Sequence, residues 1–225
     1  MTTTIISTNT IVSGTGFTYA AAGDALVILT NITLGSTNGT AISIPFDDTS
    51  LTVLGTVVTR DLPTFLTGSE VTIARGGSWI SNQPISSSAG IFFDGGASIF
   101  TNDGTLIARE TIGVLTRGGG NVVINTGSIH GGSNGVWLGL GAASINESLI
   151  NSGTISSGSA DDAIRDARYN NGVFADSNFT RITNLASGTI TAVSSEGAGI
   201  RFGNGANGSL LVNFGQIISD RTSVV

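Results

Sequence analysis

The chain has 225 residues, of which 33 are glycine, none is cysteine, 11% are charged, and the formal net charge is −6. Every basic residue is arginine, and an acidic chain with scattered arginines repels phosphate backbones, which argues against nucleic-acid binding. The missing cysteines exclude disulfides, thiolate metal sites and cysteine nucleophiles, and a mean hydropathy of +0.31 leaves Ser, Thr, Asn and Gly to cover the surface, a composition of strands and turns.

Residues 1–12 have neither a basic segment nor an apolar run of signal-peptide length, so no cleavable leader is expected within this chain. The longest nearly apolar stretch, 136–143, falls far short of the ~20 residues that span a bilayer, and no membrane insertion is expected. Residues 1–50 lack the motif that fills the rest of the chain and contain the apolar run 25–29; they read as an N-terminal cap with irregular first coils. Asp47 and Asp48 are adjacent, so a strand would send them to opposite faces; they read as turn residues. Residues 51–225 read as one continuous repeat domain.

The repeat is explicit further on. Asn102-Asp-Gly104-Thr-Leu106, Asn125-Thr-Gly127-Ser-Ile129, Asn151-Ser-Gly153-Thr-Ile155, Asn184-Leu-Ala-Ser-Gly188-Thr-Ile190 and Asn213-Phe-Gly215-Gln-Ile217 align, with fainter copies at Gly55 and Gly77. The anchoring glycines lie 22, 27, 23, 26, 35 and 27 residues apart, the length of one coil of a three-sided parallel β-helix. A second element, Gly90-Ile91, Gly113-Val114, Gly135-Val136, Gly172-Val173 and Gly199-Ile200, alternates with the first.

Each coil is expected to bury Phe100, Val123, Leu149, Ile182 or Leu211, then turn at the motif asparagine. Asn102, Asn125, Asn151, Asn184 and Asn213 should stack as a structural ladder. The motif glycine is expected to close the corner through a positive φ, and Leu106, Ile129, Ile155, Ile190 or Ile217 to return inward. The fold expected is all-β, a right-handed parallel β-helix of about seven to eight coils with an N-terminal cap.

These elements resemble the β-helical repeat regions of large secreted Gram-negative bacterial proteins, namely autotransporter passenger domains and filamentous-haemagglutinin-like adhesins. The resemblance covers about residues 77–217 and implies export and adhesion, without an active site to transfer. The calcium-binding nonapeptides frequent in such proteins are not matched: Gly118-Gly119-Gly120-Asn121 and Gly131-Gly132-Ser133-Asn134 lack the liganding aspartate.

Candidate chemistry is sparse. The 35-residue interval between Gly153 and Gly188 carries Asp161, Asp162, Arg165, Asp166, Arg168 and Tyr169, read first as a solvated surface loop and second as a ligand-contact loop. His130, the only histidine, follows an inward isoleucine and should be an exposed spectator. Phe92, Trp137 and Phe174 recur after the Gly-Ile/Val element, either as stacked core residues or as an exposed stripe for sugar rings. The regular Thr-x-Thr rows that ice binding needs do not repeat at coil spacing.

The function expected is therefore non-enzymatic: a secreted or cell-surface β-solenoid serving as adhesin, matrix component or filament-forming subunit. It needs no cofactor, and its partners are further copies stacked end to end or surface glycans. The competing reading is a carbohydrate-active β-helix enzyme, a lyase, hydrolase or depolymerase, acting through the 158–170 loop.

Overall fold

A computed structural model describes residues 1–83, 88–141, 144–158, 170–193 and 197–219, and among them every regular element is a β-strand. Strands follow one another around three walls, and every third strand returns to the same wall in parallel. The first wall has nine strands, from Thr3–Ile6 to Leu210–Asn213, and the second has nine, from Thr10–Val12 to Gln216–Ser219. The third is divided: a two-stranded piece, Phe17–Thr18 with Ile42–Ser43, precedes a six-stranded piece from Thr64–Phe65 to Ile200–Phe202. The molecule is a parallel β-solenoid of eight complete coils and the first two walls of a ninth, roughly 40 Å long at ~4.8 Å per coil.

Six of these strands lie within residues 1–50: four join the first two walls in register with the rest, and the other two form the separate piece of the third.

Alternation along each strand decides what the walls enclose. In Val122–Asn125 the second and fourth side chains are buried and the other two half-buried, the pattern of a strand with one face inside. Zero-offset pairing puts Phe100, Val123, Leu149 and Ile182 in one inward column, all fully buried. Leu106, Ile129, Ile155 and Ile190 form another on the second wall. Each such side chain contributes about 1.5–3 kcal/mol by leaving water, and it does so against neighbouring coils, so stability accumulates along the axis.

The asparagines stack as expected, and they point inward. Asn102 donates through Nδ2 to Asn125 Oδ1 at 2.8 Å, Asn125 to Asn151 at 2.8 Å, Asn151 to Asn184 at 2.8 Å, and Asn184 to Asn213 at 2.8 Å. The remaining Nδ2 proton turns to backbone carbonyls at the corner, such as Gly127 O at 3.3 Å from Asn125. The ladder has a direction, donors toward the later coil. It begins where Ile73 stands in register above Asn102, which leaves Asn102 Oδ1 buried without a donor.

The motif glycines correct one expectation. Gly55, Gly77, Gly104, Gly127, Gly153, Gly188 and Gly215 do not adopt positive φ. They are required by proximity: a Cβ at Gly127 would overlap the Gly104 carbonyl oxygen, and one at Gly153 the Gly127 oxygen. That oxygen accepts from the residue after the next glycine, as in Thr154 N to Gly127 O at 2.8 Å. Close stacking of one coil's corner on the next therefore selects glycine here.

At this corner positive φ occurs instead at Asn31 and Gly76, and it recurs coil after coil at the opposite corner, where the third wall returns to the first. Gly23, Asp48, Gly68, Ala97, Gly120, Asn146, Phe179 and Gly208 all lie there in the left-handed region, each one residue before a polar side chain that opens a first-wall strand. Asp48 is thus the turn residue that the sequence indicates, and both it and Asp47 are exposed.

Candidate functional site

The polar residues that follow this corner form a second internal column: Asp24, Thr49, Ser69, Ser98, Asn121, Glu147 and Thr180, all buried. Hydrogen bonds link successive coils. Thr49 Oγ1 and Ser69 Oγ lie 3.2 Å apart, Ser69 N donates to Ser98 Oγ at 3.2 Å, and Ser98 N donates to Asn121 Oδ1 at 3.0 Å. Asn121 Nδ2 then donates to Glu147 Oε1 at 3.2 Å, while Glu147 Oε2 has no partner. Burial pushes the Glu147 carboxyl up to about 7, against the opposing pull of hydrogen bonds from Asn121, Thr116 and the backbone of Gly119 and Asn121. A carboxyl titrating there has the properties of a general acid. Glu147 is nevertheless 0% exposed, sealed within the scaffold.

The outer surfaces of the walls differ sharply. The nine second-wall strands contain no Asp, Glu, Lys or Arg, and the nine first-wall strands contain only Glu70 and Arg181. Down the second wall, Thr33, Thr56, Ser78, Thr105, Ser128, Thr154 and Thr189 stand in register as an outward hydroxyl column, with Thr56 Oγ1 and Ser78 Oγ 3.0 Å apart. His130 lies on this wall and is half-buried, not fully exposed as expected: Nδ1 sits 3.0 Å from Ser156 Oγ, and burial lowers its pKa.

Side-chain variety gathers on the third wall. Thr64, Phe92, Leu115, Trp137, Phe174 and Arg201 occupy one row in register. Their neighbours Ile91, Phe93, Val114, Val136 and Val173 fill the central core, so this row faces outward. Phe92, Leu115, Trp137 and Phe174 are nonetheless only 2–8% exposed, forming a second apolar cluster with Ala89 and Ile112 against which Leu62 and Leu140 pack. The aromatics therefore form neither core stack nor open stripe; they are an outer row under cover. Trp137 and Phe174 meet edge-on at 4.9 Å. Arg117 lies 5.3 Å over the Phe92 ring and pairs through both donor groups with Asp94, its cross-strand neighbour.

A cleft of about 230 Å³ opens at the head of this row, where Ile42–Ser43 and Thr64–Phe65 fail to pair; Thr40, Ile44, Pro45 and Leu62 help line it. Further along, Gly158 follows the second-wall strand Thr154–Ser157, and Asn170, buried, leads into the strand Val173–Ala175 that carries Phe174. The segment between them carries Asp161, Asp162, Arg165, Asp166, Arg168 and Tyr169, which lie outside the described residues. Among the described residues no three His, Cys, Asp or Glu side chains converge as a metal site, and no helix is long and apolar enough to cross a membrane.

Sequence reasoning missed the second polar column and the covering of the aromatic row. The column has a faint signal, a Ser, Thr, Asn, Asp or Glu just before each first-wall strand, hidden because its chemical identity changes from coil to coil. No protein-family model, curated protein or solved structure matches the chain; what the geometry defines is the class, a parallel β-solenoid.

Proposed function

We propose that the chain is a non-enzymatic scaffold from a secreted or cell-surface protein, of the autotransporter or haemagglutinin-like adhesin kind, that contacts surface glycans through its third wall. The observation that carries this reading is the contrast between walls: two nearly charge-free nine-stranded faces, and one wall holding the cleft and the Asp94–Arg117 pair. Long connections on a rigid repeat scaffold are where contacts concentrate, and the 158–170 connection enters this wall.

A polysaccharide-cleaving enzyme is the weaker reading, because it needs two accessible carboxyls in suitable relation. Of those described near the third wall, Asp94 is committed to Arg117, Asp176 Oδ1 accepts from Gly205 N at 3.1 Å and Glu147 is sealed, while the exposed Asp61 and Glu110 lead into strands two coils apart. End-to-end stacking of copies is also weaker. It would set Ile6, the first-wall residue in register with Ile28, against Asn213, and interrupt the ladder.

A glycan array probed with the intact chain and with a 158–170 deletion tests the proposal. Selective glycan capture that the deletion reduces is the expected result. No capture by the intact chain, or depolymerisation of a bound polysaccharide, would overturn it.

A further inference from the structure

The second wall's outer face has one interruption. In register down its outward column stand Ile11, Gly35, Val58, Ile80 and Ile107, so a glycine occupies a place where its neighbours carry branched side chains. Neither backbone nor packing requires it. Gly35 has no positive φ, and a Cβ there would lie 3.5 Å from Ile11 Cγ1 and 3.6 Å from Val58 Cβ, ordinary van der Waals distances. The other described strand glycines differ: at Gly90, Gly113 and Gly131 a Cβ would press on a backbone oxygen of a neighbouring turn or coil. A strand loses packing and gains disorder in the unfolded chain by holding glycine, so Gly35 costs stability that local geometry does not explain.

The missing side chain opens a groove of about 360 Å³, lined by Ile11, Gly35, Thr37, Val58, Arg60 and Asn82. Its floor is apolar and its rim polar. Arg60, Thr37 and Asn82 are exposed. Among the described residues Arg60 has no ion-pair partner; the ion pair present is that of Arg117 with Asp94. Thr37 donates to Val12 O at 3.3 Å and keeps its lone pairs for an incoming donor.

We propose that this groove is a subsite for a sugar ring bearing a carboxylate, a uronic-acid-type residue of a glycan. The C–H face of the ring covers Gly35 between Ile11 and Val58. The guanidinium of Arg60 pairs with the carboxylate, and Asn82 and Thr37 take the ring hydroxyls. A volume near the lower end of the ~300–1,000 Å³ typical of ligand pockets suits one monosaccharide residue. The subsite shares the glycan reading given above but lies on a different wall, so either can fail without the other.

Glucuronic and galacturonic acid titrated into the isotopically labelled chain, with glucose and benzoate as comparison ligands, test the proposal by amide chemical shifts. Saturable shifts clustered at Val58, Arg60 and Asn82 are expected for the uronic acids and not for glucose. Gly35→Val fills the groove with a residue that strands favour and abolishes them; Arg60→Gln weakens binding by about tenfold or more. Deletion of 158–170 leaves these shifts unchanged even if it removes capture on the glycan array. Absence of uronate shifts, or shifts that persist in folded Gly35→Val and Gly35→Ala, would overturn the site, and benzoate binding as tightly as uronate would overturn the sugar class.

Discussion

At the scale of single residues, the two internal polar columns do different work. The inner ladder asparagines Asn125, Asn151 and Asn184 are buried and each accepts from one neighbour and donates to the next, so Asn151→Ala leaves Asn125 without its acceptor and Asn184 without its donor. A loss of about 2–4 kcal/mol follows from the unpaired groups, measured as a lower denaturation midpoint with unchanged slope. Glu147 acts in the opposite sense. Its carboxyl is pushed up to about 7 when folded and lies near its ordinary value of 4.5 when unfolded, so the folded state holds the proton more tightly between those values. Stability from this group is fully present below pH 4.5 and is lost as pH rises through about 7. Glu147→Gln should remove that dependence and exceed the parent by about 3 kcal/mol at pH 8, seen as converging unfolding midpoints in acid. The asparagine ladder was legible because one amide recurs at one place. Glu147 was not, since Thr, Ser, Asn and Glu alternate at its position and only register shows them to be equivalent. The glycines were found for the wrong reason, because sequence displays a recurrent glycine without showing whether φ or an approaching carbonyl demands it.

At the scale of elements, one corner of every coil needs a left-handed residue, and the chain meets the need unevenly. Glycine serves at Gly68 and Gly120, but Ala97 and Phe179 also adopt it, with φ of 59° and 57°. A non-glycine residue there costs roughly 1–2 kcal/mol, partly offset by the smaller entropy it loses on folding. Ala97 is exposed, so Ala97→Gly should raise stability by about 0.5–1 kcal/mol, checked by thermal unfolding. Phe179 is a poorer subject, because its ring covers Gly208. The third wall shows how far strand parity carries. Once Val136 and Val173 are placed inside, Trp137 and Phe174 must point out, and that much was present in the Gly-Val-aromatic spacing. Their burial was not, since it depends on what lies over the outer face of the wall and not on the strand itself.

At the scale of the molecule, the fold is quasi-one-dimensional: each coil contacts its neighbours in register, and the period read from the glycines defines the coils observed. The walls' outer chemistry was less accessible, because it emerges only when side chains from residues some 20–35 apart in sequence are set side by side. A division of labour is predicted, in which the columns and core hold the rod and the chain stays folded without the connection between Gly158 and Asn170. Equilibrium unfolding of the chain lacking residues 158–170, beside Asn151→Ala, tests this most directly. The account predicts that the deletion still unfolds in one cooperative transition while Asn151→Ala unfolds earlier than the parent; loss of cooperativity in the deletion, with Asn151→Ala unchanged, would contradict it.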